Sequence, residues 1–481
     1  MFAKGAAALA SAGILAQAIS AVGLLGLARL YTPADFGVWT VLMSVALVFS
    51  GIAALRYELA IVLPDDDDAA RDVLAVALLS VVPVAVASVV AQEAIGAWLV
   101  GDVYQADLAT WWWFVPAMVV VSGIYQSTLL WCTRGRWMRW MAVGQWGVPA
   151  ATLAVQVVAW WLGWRSPSGL LAGTVAGYAL VGGLLMVVVA RREGGAMRKH
   201  WSWEQVQRAA VRFRMYPLYV VPYTLVGTVR DRFTYLLMTI HSPKADVGLF
   251  GVAARVVNLP NSVFSSALRP LFFSRAARVE FRTLQGSVLA TLKILVLLVV
   301  PGWVVFLTFS DDIMVLVLGG EEWRPAGRYA VALSVPAVCL MVSNWLDRSF
   351  DVLGLQRLAM ALEMGFSSTA MVGLALGVTY YGSIYAGIVL QSSVLAVCYI
   401  GWLFVVFRMG GMSLRPLAML VGMSTMFVGV CYLALDGLRR MLPDPWAVGA
   451  FLLLSGALAA ALGYKDLCAL VSDRGSIRGG D

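Results

Sequence analysis

Residues 73–92 read Val73-Leu74-Ala75-Val76-Ala77-Leu78-Leu79-Ser80-Val81-Val82-Pro83-Val84-Ala85-Val86-Ala87-Ser88-Val89-Val90-Ala91-Gln92, twenty positions without a charge. A helix of that length rises about 30 Å, the thickness of a bilayer's hydrocarbon core. In lipid a segment must satisfy its own backbone polar groups, which a helix does. The stretch therefore reads as a transmembrane helix, and the pattern recurs on both sides of it. Apolar runs fall near 6–28, 38–62, 73–92, 109–131, 141–163, 168–190, 215–240, 248–272, 286–309, 327–347, 358–380, 384–407, 416–435 and 446–464. Of 481 residues, 61% are hydrophobic and 13% charged, whereas a soluble domain carries about 25% charged residues. The predicted fold class is all-α, polytopic and transmembrane, with about fourteen helices.

Lys4 ahead of an Ala-rich run resembles a secretory signal, but the run continues to Ala28 and further spans follow. It reads as the first transmembrane helix. With the N-terminus inside, 22 basic residues fall in inner segments and 7 in outer ones, leaving six within spans. That bias predicts a multi-pass protein of the cell inner (plasma) membrane with both termini cytoplasmic. The basic connection 191–214 mixes Trp201, Trp203, Val206 and Val211 with Arg208, Arg212 and Arg214. It is expected to lie along the inner membrane surface as an amphipathic helix. The net charge of +8 is spent on orientation and implies no nucleic-acid partner. Five scattered cysteines and two histidines offer no metal or disulfide framework. No GxxxxGK[ST], HExxH or nucleophile-elbow motif occurs, so no catalytic residues are assigned and a non-enzyme is expected.

Two short motifs recur. Tyr31-Thr32-Pro33-Ala34-Asp35-Phe36-Gly37 links the first two spans, and Ser242-Pro243-Lys244-Ala245-Asp246-Val247-Gly248 links the seventh and eighth. Their Asp-x-Gly units are 211 residues apart, about six spans with loops. Pro and Gly are ordinary turn residues, but recurrence at equivalent places implies an internal repeat. Six is even, so the halves are parallel, as in transporters that rock two bundles about a cavity. The expected organisation is two pseudo-symmetric six-helix bundles, 1–190 and 215–407, joined by the amphipathic linker 191–214. Residues 408–481 add two further helices and a cytoplasmic tail. Those two helices carry no charge between Arg415 and Asp436 or between Asp444 and Lys465, so they are expected to face lipid outside the bundles.

A charge inside a span costs several kcal/mol or more unless it faces water or a partner. Arg56, Arg230, Arg232, Arg255, Arg269 and Lys293 sit within spans, with Glu58, Asp231, Asp347 and Glu363 in or beside them. On the eighth span Arg255, Asn258, Ser262, Ser265, Ser266 and Arg269 fall within an arc of about 100°. This is a polar stripe about 20 Å long. On the seventh, Tyr216, Tyr219, Tyr223, Gly227, Arg230 and Thr234 share a face by the same arithmetic. Aromatic rings followed by a guanidinium suit a sugar joined to a phosphate. Arg56 and Glu58, two apart on a helix, would not face each other, and each would need its own partner. Snorkelling to the interface is the ordinary alternative for Arg56, Arg269 and Lys293, and Glu363 is equally at home at an interface.

Gly26-Leu27-Ala28-Arg29-Leu30-Tyr31-Thr32-Pro33-Ala34-Asp35-Phe36-Gly37, followed by Leu55-Arg56-Tyr57-Glu58-Leu59-Ala60-Ile61-Val62-Leu63-Pro64 ahead of an acidic run, resembles Wzx-type polysaccharide flippases. These belong to the superfamily that also holds MATE exporters and lipid II flippases. The resemblance covers the whole chain in span count and is concentrated in the first 70 residues. It implies transfer of an undecaprenyl-diphosphate-linked oligosaccharide from the cytoplasmic to the periplasmic leaflet by alternating access. A coupling ion, H+ or Na+, and no other cofactor, is expected. Membrane lipid, a glycan polymerase and other proteins of the pathway are the expected partners. Arg56, Arg230, Arg255, Arg269 and Asn258 are the candidates for the headgroup, Tyr219 and Tyr223 for the sugar, and Glu58, Asp231 and Glu363 for the coupling ion. A MATE-like cation-coupled exporter would instead need a buried acidic site. A membrane polymerase or scaffold of the same pathway is the third reading.

Overall fold

The computed structural model describes residues 2–98, 102–200, 202–276, 279–347 and 349–478. Among them the secondary structure is α-helix, short 3-10 turns and one π-helical turn, with no strand. The fourteen longest helices are α1 (Phe2–Leu27), α2 (Pro33–Ser50), α3 (Asp67–Trp98), α4 (Phe114–Arg134), α5 (Met138–Trp161), α6 (Pro167–His200) and α7 (Val221–His241). They continue with α8 (Lys244–Ala276), α9 (Gln285–Leu318), α10 (Ala326–Ser343), α11 (Gln356–Tyr381), α12 (Ile384–Met409), α13 (Leu414–Met441) and α14 (Asp444–Arg478).

By length and composition eleven helices among the described residues can cross a membrane. The other three, α1, α7 and α8, coincide with predicted spans. α7 carries Arg230, Asp231 and Arg232 in its middle, and this charge lowers its apolar character without shortening it.

The chain divides into two compact units, Met1–Val252 with Val317–Trp323, and Ala253–Leu316 with Arg324–Asp481. In the first, α2 stops at Ser50 and a 3-10 turn, Tyr57–Val62, follows it. Ala60 and Ile61 of that turn are fully buried in one core with Leu74, Val81, Val119 and Cys132, and α3 and α4 close around it. Arg134, at the end of α4, holds the turn's exit. Its guanidinium donates to the carbonyls of Ile61, Pro64 and Asp65 and, at 2.9 Å, to the Asp67 carboxylate. Arg71 bridges Asp68 and Glu193.

The linker forms a helix, Trp203–Arg212. Val206 and Ala209 are buried, and with Phe213 they pack into the first unit's core; residues three and four apart share a face. Val206 therefore docks on protein rather than on membrane, while Trp203 and Val211 stay exposed. Trp201 lies outside the described residues.

The two recurring motifs lie against each other. A Cβ on Gly37 would stand 2.0 Å from the Lys244 carbonyl oxygen, and one on Gly248 would stand 1.8 Å from that of Pro33. Lys244 and Pro33 are themselves 211 residues apart, so the contact is reciprocal, each glycine meeting the carbonyl four residues before the other. Only the first copy has a capping box. Thr32 and Asp35 cap α2 reciprocally, their spacing being that of N-cap and N3. Ser242 and Asp246 are one residue further apart, and the buried Ser242 hydroxyl has no hydrogen-bond partner. Tyr31, buried before α2, donates at 3.0 Å to the Gln156 carbonyl. Burial and the nearby Asp35 push its phenol up to about 12, so it remains a donor.

In the second unit Phe272, Phe281, Trp345, Phe350 and Phe407 centre the core. Val300 and Val304 of α9 pack with Cys431, Leu435 and Phe451 of α13 and α14. The opposite sides of these last helices are exposed and apolar, as at Met423, Met426, Leu433, Leu453 and Leu454.

Candidate functional site

The candidate residues fall into two groups, one in each unit. The first forms where α2 breaks. Leu55 and Arg56 take positive φ values of 48° and 64°, a left-handed conformation that costs a non-glycine residue of order 1–3 kcal/mol. The reversal brings the two side chains that a helix would have kept apart into contact. Arg56 Nη1 lies 3.3 Å from Glu58 Oε1, and Arg56 Nε donates to Thr224 Oγ1 of α7 at 2.9 Å. The expectation that Arg56 and Glu58 need separate partners is therefore corrected, because the chain here is not helical at a rise of 100° per residue. Glu58 is 2% exposed, and its Oε2 has no hydrogen-bond partner. Gln126 Nε2 donates to the Ser50 carbonyl at 3.2 Å, covering the freed end of α2.

The tyrosine face departs from its arithmetic. Tyr216–Val220 is a π-helical turn, and the extra residue shifts the phase of everything that follows. Tyr216 packs on the first unit's core, while Tyr219 and Tyr223 are 65% and 58% exposed. The six residues thus do not form one stripe: Thr234 is buried, and Arg230 pairs with its neighbour Asp231 at 2.9 Å. Tyr219 and Tyr223 share an open side, next to the turn that carries Glu58.

In the second unit α8 carries Arg255, Asn258 and Arg269 on one continuous helix, as the stripe requires. The side chains of Ser262 and Ser266 lie outside the described residues. Asn258 is exposed and donates to the Ala254 carbonyl of its own helix at 2.8 Å. Glu363 is exposed on α11.

Arg269 meets the residues that follow α10. Its Nη2 donates to Asn344 Oδ1 at 3.0 Å and lies 3.1 Å from Asp347 Oδ2. Asn344 donates on to Ser265 Oγ at 3.1 Å, and Ser265 donates to Asn261 at 3.0 Å. Thr224, Asn261 and Asn344 were not among the predicted residues, nor was Asp347 given a role. Two polar residues three apart at the end of the tenth span were the available signal.

Among the described residues no group of three or more His, Cys, Asp or Glu could hold a metal ion. What the arrangement offers is guanidinium groups, those of Arg56, Arg230 and Arg269 each beside a carboxylate. Such groups bind oxyanions bidentately.

Residues 26–328 match the family described as "Polysaccharide biosynthesis protein". No curated protein sequence matches significantly. Among solved structures the chain is similar to "Lipid II flippase MurJ, inward closed conformation", at 12% identity over 96% of this chain and 99% of that one, with a TM-score of 0.73. It is also similar to "Inward-facing conformation of a multidrug resistance MATE family transporter of the MOP superfamily", at 14% identity over 84% and 95%, with a TM-score of 0.52. At such identities the likeness shows the fold alone.

Proposed function

The chain belongs to the polysaccharide biosynthesis protein family, and from that premise we propose that it flips an undecaprenyl-diphosphate-linked oligosaccharide from the cytoplasmic to the periplasmic leaflet. The observation that carries the reading is the set of guanidinium groups, Arg56 at the break after α2 and Arg255 and Arg269 on the membrane-length α8, within a fold shared with a lipid II flippase. A diphosphate loses its water on entering a low-dielectric space, and fixed cations offset that loss. Arg56, Arg230, Arg255, Arg269 and Asn258 meet the headgroup. Tyr219 and Tyr223, with their rings open on one side, stack on sugar. Alternating access moves the bundles 1–190 and 215–407 against each other. Glu58, buried with one oxygen unpaired, is the first candidate to carry the coupling H+ or Na+, ahead of the exposed Asp231 and Glu363.

The test is surface polysaccharide output from cells carrying Arg255→Ala, Arg269→Ala or both. Each single change is expected to lower output about tenfold or more, since a charge-assisted contact contributes about 1.5–3 kcal/mol. Unchanged output from the double variant at normal protein level would remove the cationic-headgroup reading.

A further inference from the structure

The end of α10 is built to present two acceptors side by side. After Ser343 the helix tightens into a 3-10 turn, Asn344–Leu346, and a short helix, Ser349–Val352, follows. Trp345 and Leu346 are 3% and 0% exposed, and the Trp345 ring sits edge-on to Phe272 of α8 at 5.2 Å. This apolar pair pins the turn to α8. In a 3-10 turn residues three apart eclipse each other, so Asn344 and Asp347 project on the same side. There they meet Arg269, one helical turn before Phe272.

The grip on Arg269 is partial. A guanidinium has five N–H donors on three nitrogens, and both contacts to the turn fall on Nη2. Nε, though buried, has no hydrogen-bond partner. The side chains of Arg269 and Asp347 are 35% and 32% exposed, so the pair is reachable. The pair is not held by the bidentate fork that arginine–carboxylate pairs frequently use.

We propose that Asp347 is an exchangeable counter-ion for Arg269: it holds the guanidinium while the site is empty and gives it up to an incoming lipid diphosphate. The inference deepens the flippase reading and rests on it. Without Asp347 the cation would stand unneutralised in a membrane-length helix, which a bilayer disfavours. Asp347 meets Arg269 at Nη2, and a ligand with more charge and more oxygens than a carboxylate competes for that position. Asn344 is a neutral acceptor and keeps the guanidinium aimed while its charged partner changes. Asp347 is thus a positioning residue acting through Arg269.

The experiment measures undecaprenyl diphosphate binding to the purified full chain in nanodiscs, with undecaprenol as control. Asp347→Asn keeps the side chain's shape and removes the competing charge, so binding is expected to tighten about fivefold. Arg269→Gln is expected to weaken it about tenfold, and in the double variant Asp347→Asn should no longer tighten binding, because the exchange proposed for Asp347 is with Arg269. On the wild-type chain, carbodiimide labelling of Asp347 should rise when undecaprenyl diphosphate is added and stay level with undecaprenol. Unchanged or weaker binding by Asp347→Asn, or labelling insensitive to the diphosphate, overturns the exchange while leaving the flippase reading in place. Failure of every form, wild type included, to bind undecaprenyl diphosphate overturns both.

Discussion

Arg56 and Glu58 share one hydrogen bond and very different surroundings. Arg56 has an outlet through Thr224 and is 23% exposed, whereas the Glu58 side chain is 3% exposed. Removing the arginine would strand a buried carboxylate, and an uncompensated buried charge costs about 3–5 kcal/mol. Removing the charge from both partners avoids most of that cost. Arg56→Ala is therefore expected to lower the thermal unfolding temperature sharply, and Arg56→Ala with Glu58→Gln to recover most of the loss. Unfolding followed by tryptophan fluorescence in detergent measures both. If the double variant is no more stable than Arg56→Ala, the pair does not hold this turn by charge. The pairing was hidden in the sequence because a wheel assumes one backbone conformation. Two consecutive residues at positive φ have no composition signal when neither is glycine.

At the scale of elements, the crossing of α2 with the start of α8 is the sharpest constraint. Helices approach this closely only where small residues stand at the contact, and here the small residues are the glycines of the repeated motif. Gly248→Ala puts a methyl into the Pro33 carbonyl, where backbone rather than a side chain must give way. The expected loss is at or above the usual ~1–3 kcal/mol of overpacking, read as lower yield of folded protein and a depressed unfolding temperature. Gly26→Ala, with nothing within 4 Å of the new Cβ, should be neutral. Equal behaviour of the two variants would mean that the crossing is loose. The recurrence of Asp-x-Gly was legible in sequence, but that the copies touch was not, since spacing along a chain gives no distance in space. The same limit hid Asn344 and Asp347 as a pair for Arg269: their eclipsed placement depends on α10 tightening to a 3-10 turn, and nothing in a 3.6-residue periodicity announces that. Helix existence was legible throughout, because twenty apolar residues in lipid have one backbone solution. The charged α7 kept its length while losing the composition by which spans are recognised.

For the whole molecule, the distribution of basic residues decides which way the chain sits, and the proposed direction of transport depends on it. Positive charge in short loops is retained on the cytoplasmic side, and 22 against 7 is a strong bias. The turn between α13 and α14 gives a sensitive test, because Arg439 and Arg440 are among the few basic residues assigned outside. Both are neutralised locally, Arg439 by Asp444 at 2.9 Å and Arg440 by Asp436 at 2.7 Å. The two helices around the turn present exposed apolar sides along their length, so a reporter there reads a membrane crossing and not a surface loop. Alkaline phosphatase fused after Met441 is expected to be active, and green fluorescent protein fused after Asp481 to fluoresce. Both reporters are compatible with only one orientation. The reverse pattern would invert the leaflets in the proposed reaction without disturbing the helices. Fluorescence at both positions would mean that α14 does not cross, and the span count would fall by one at the end of the chain.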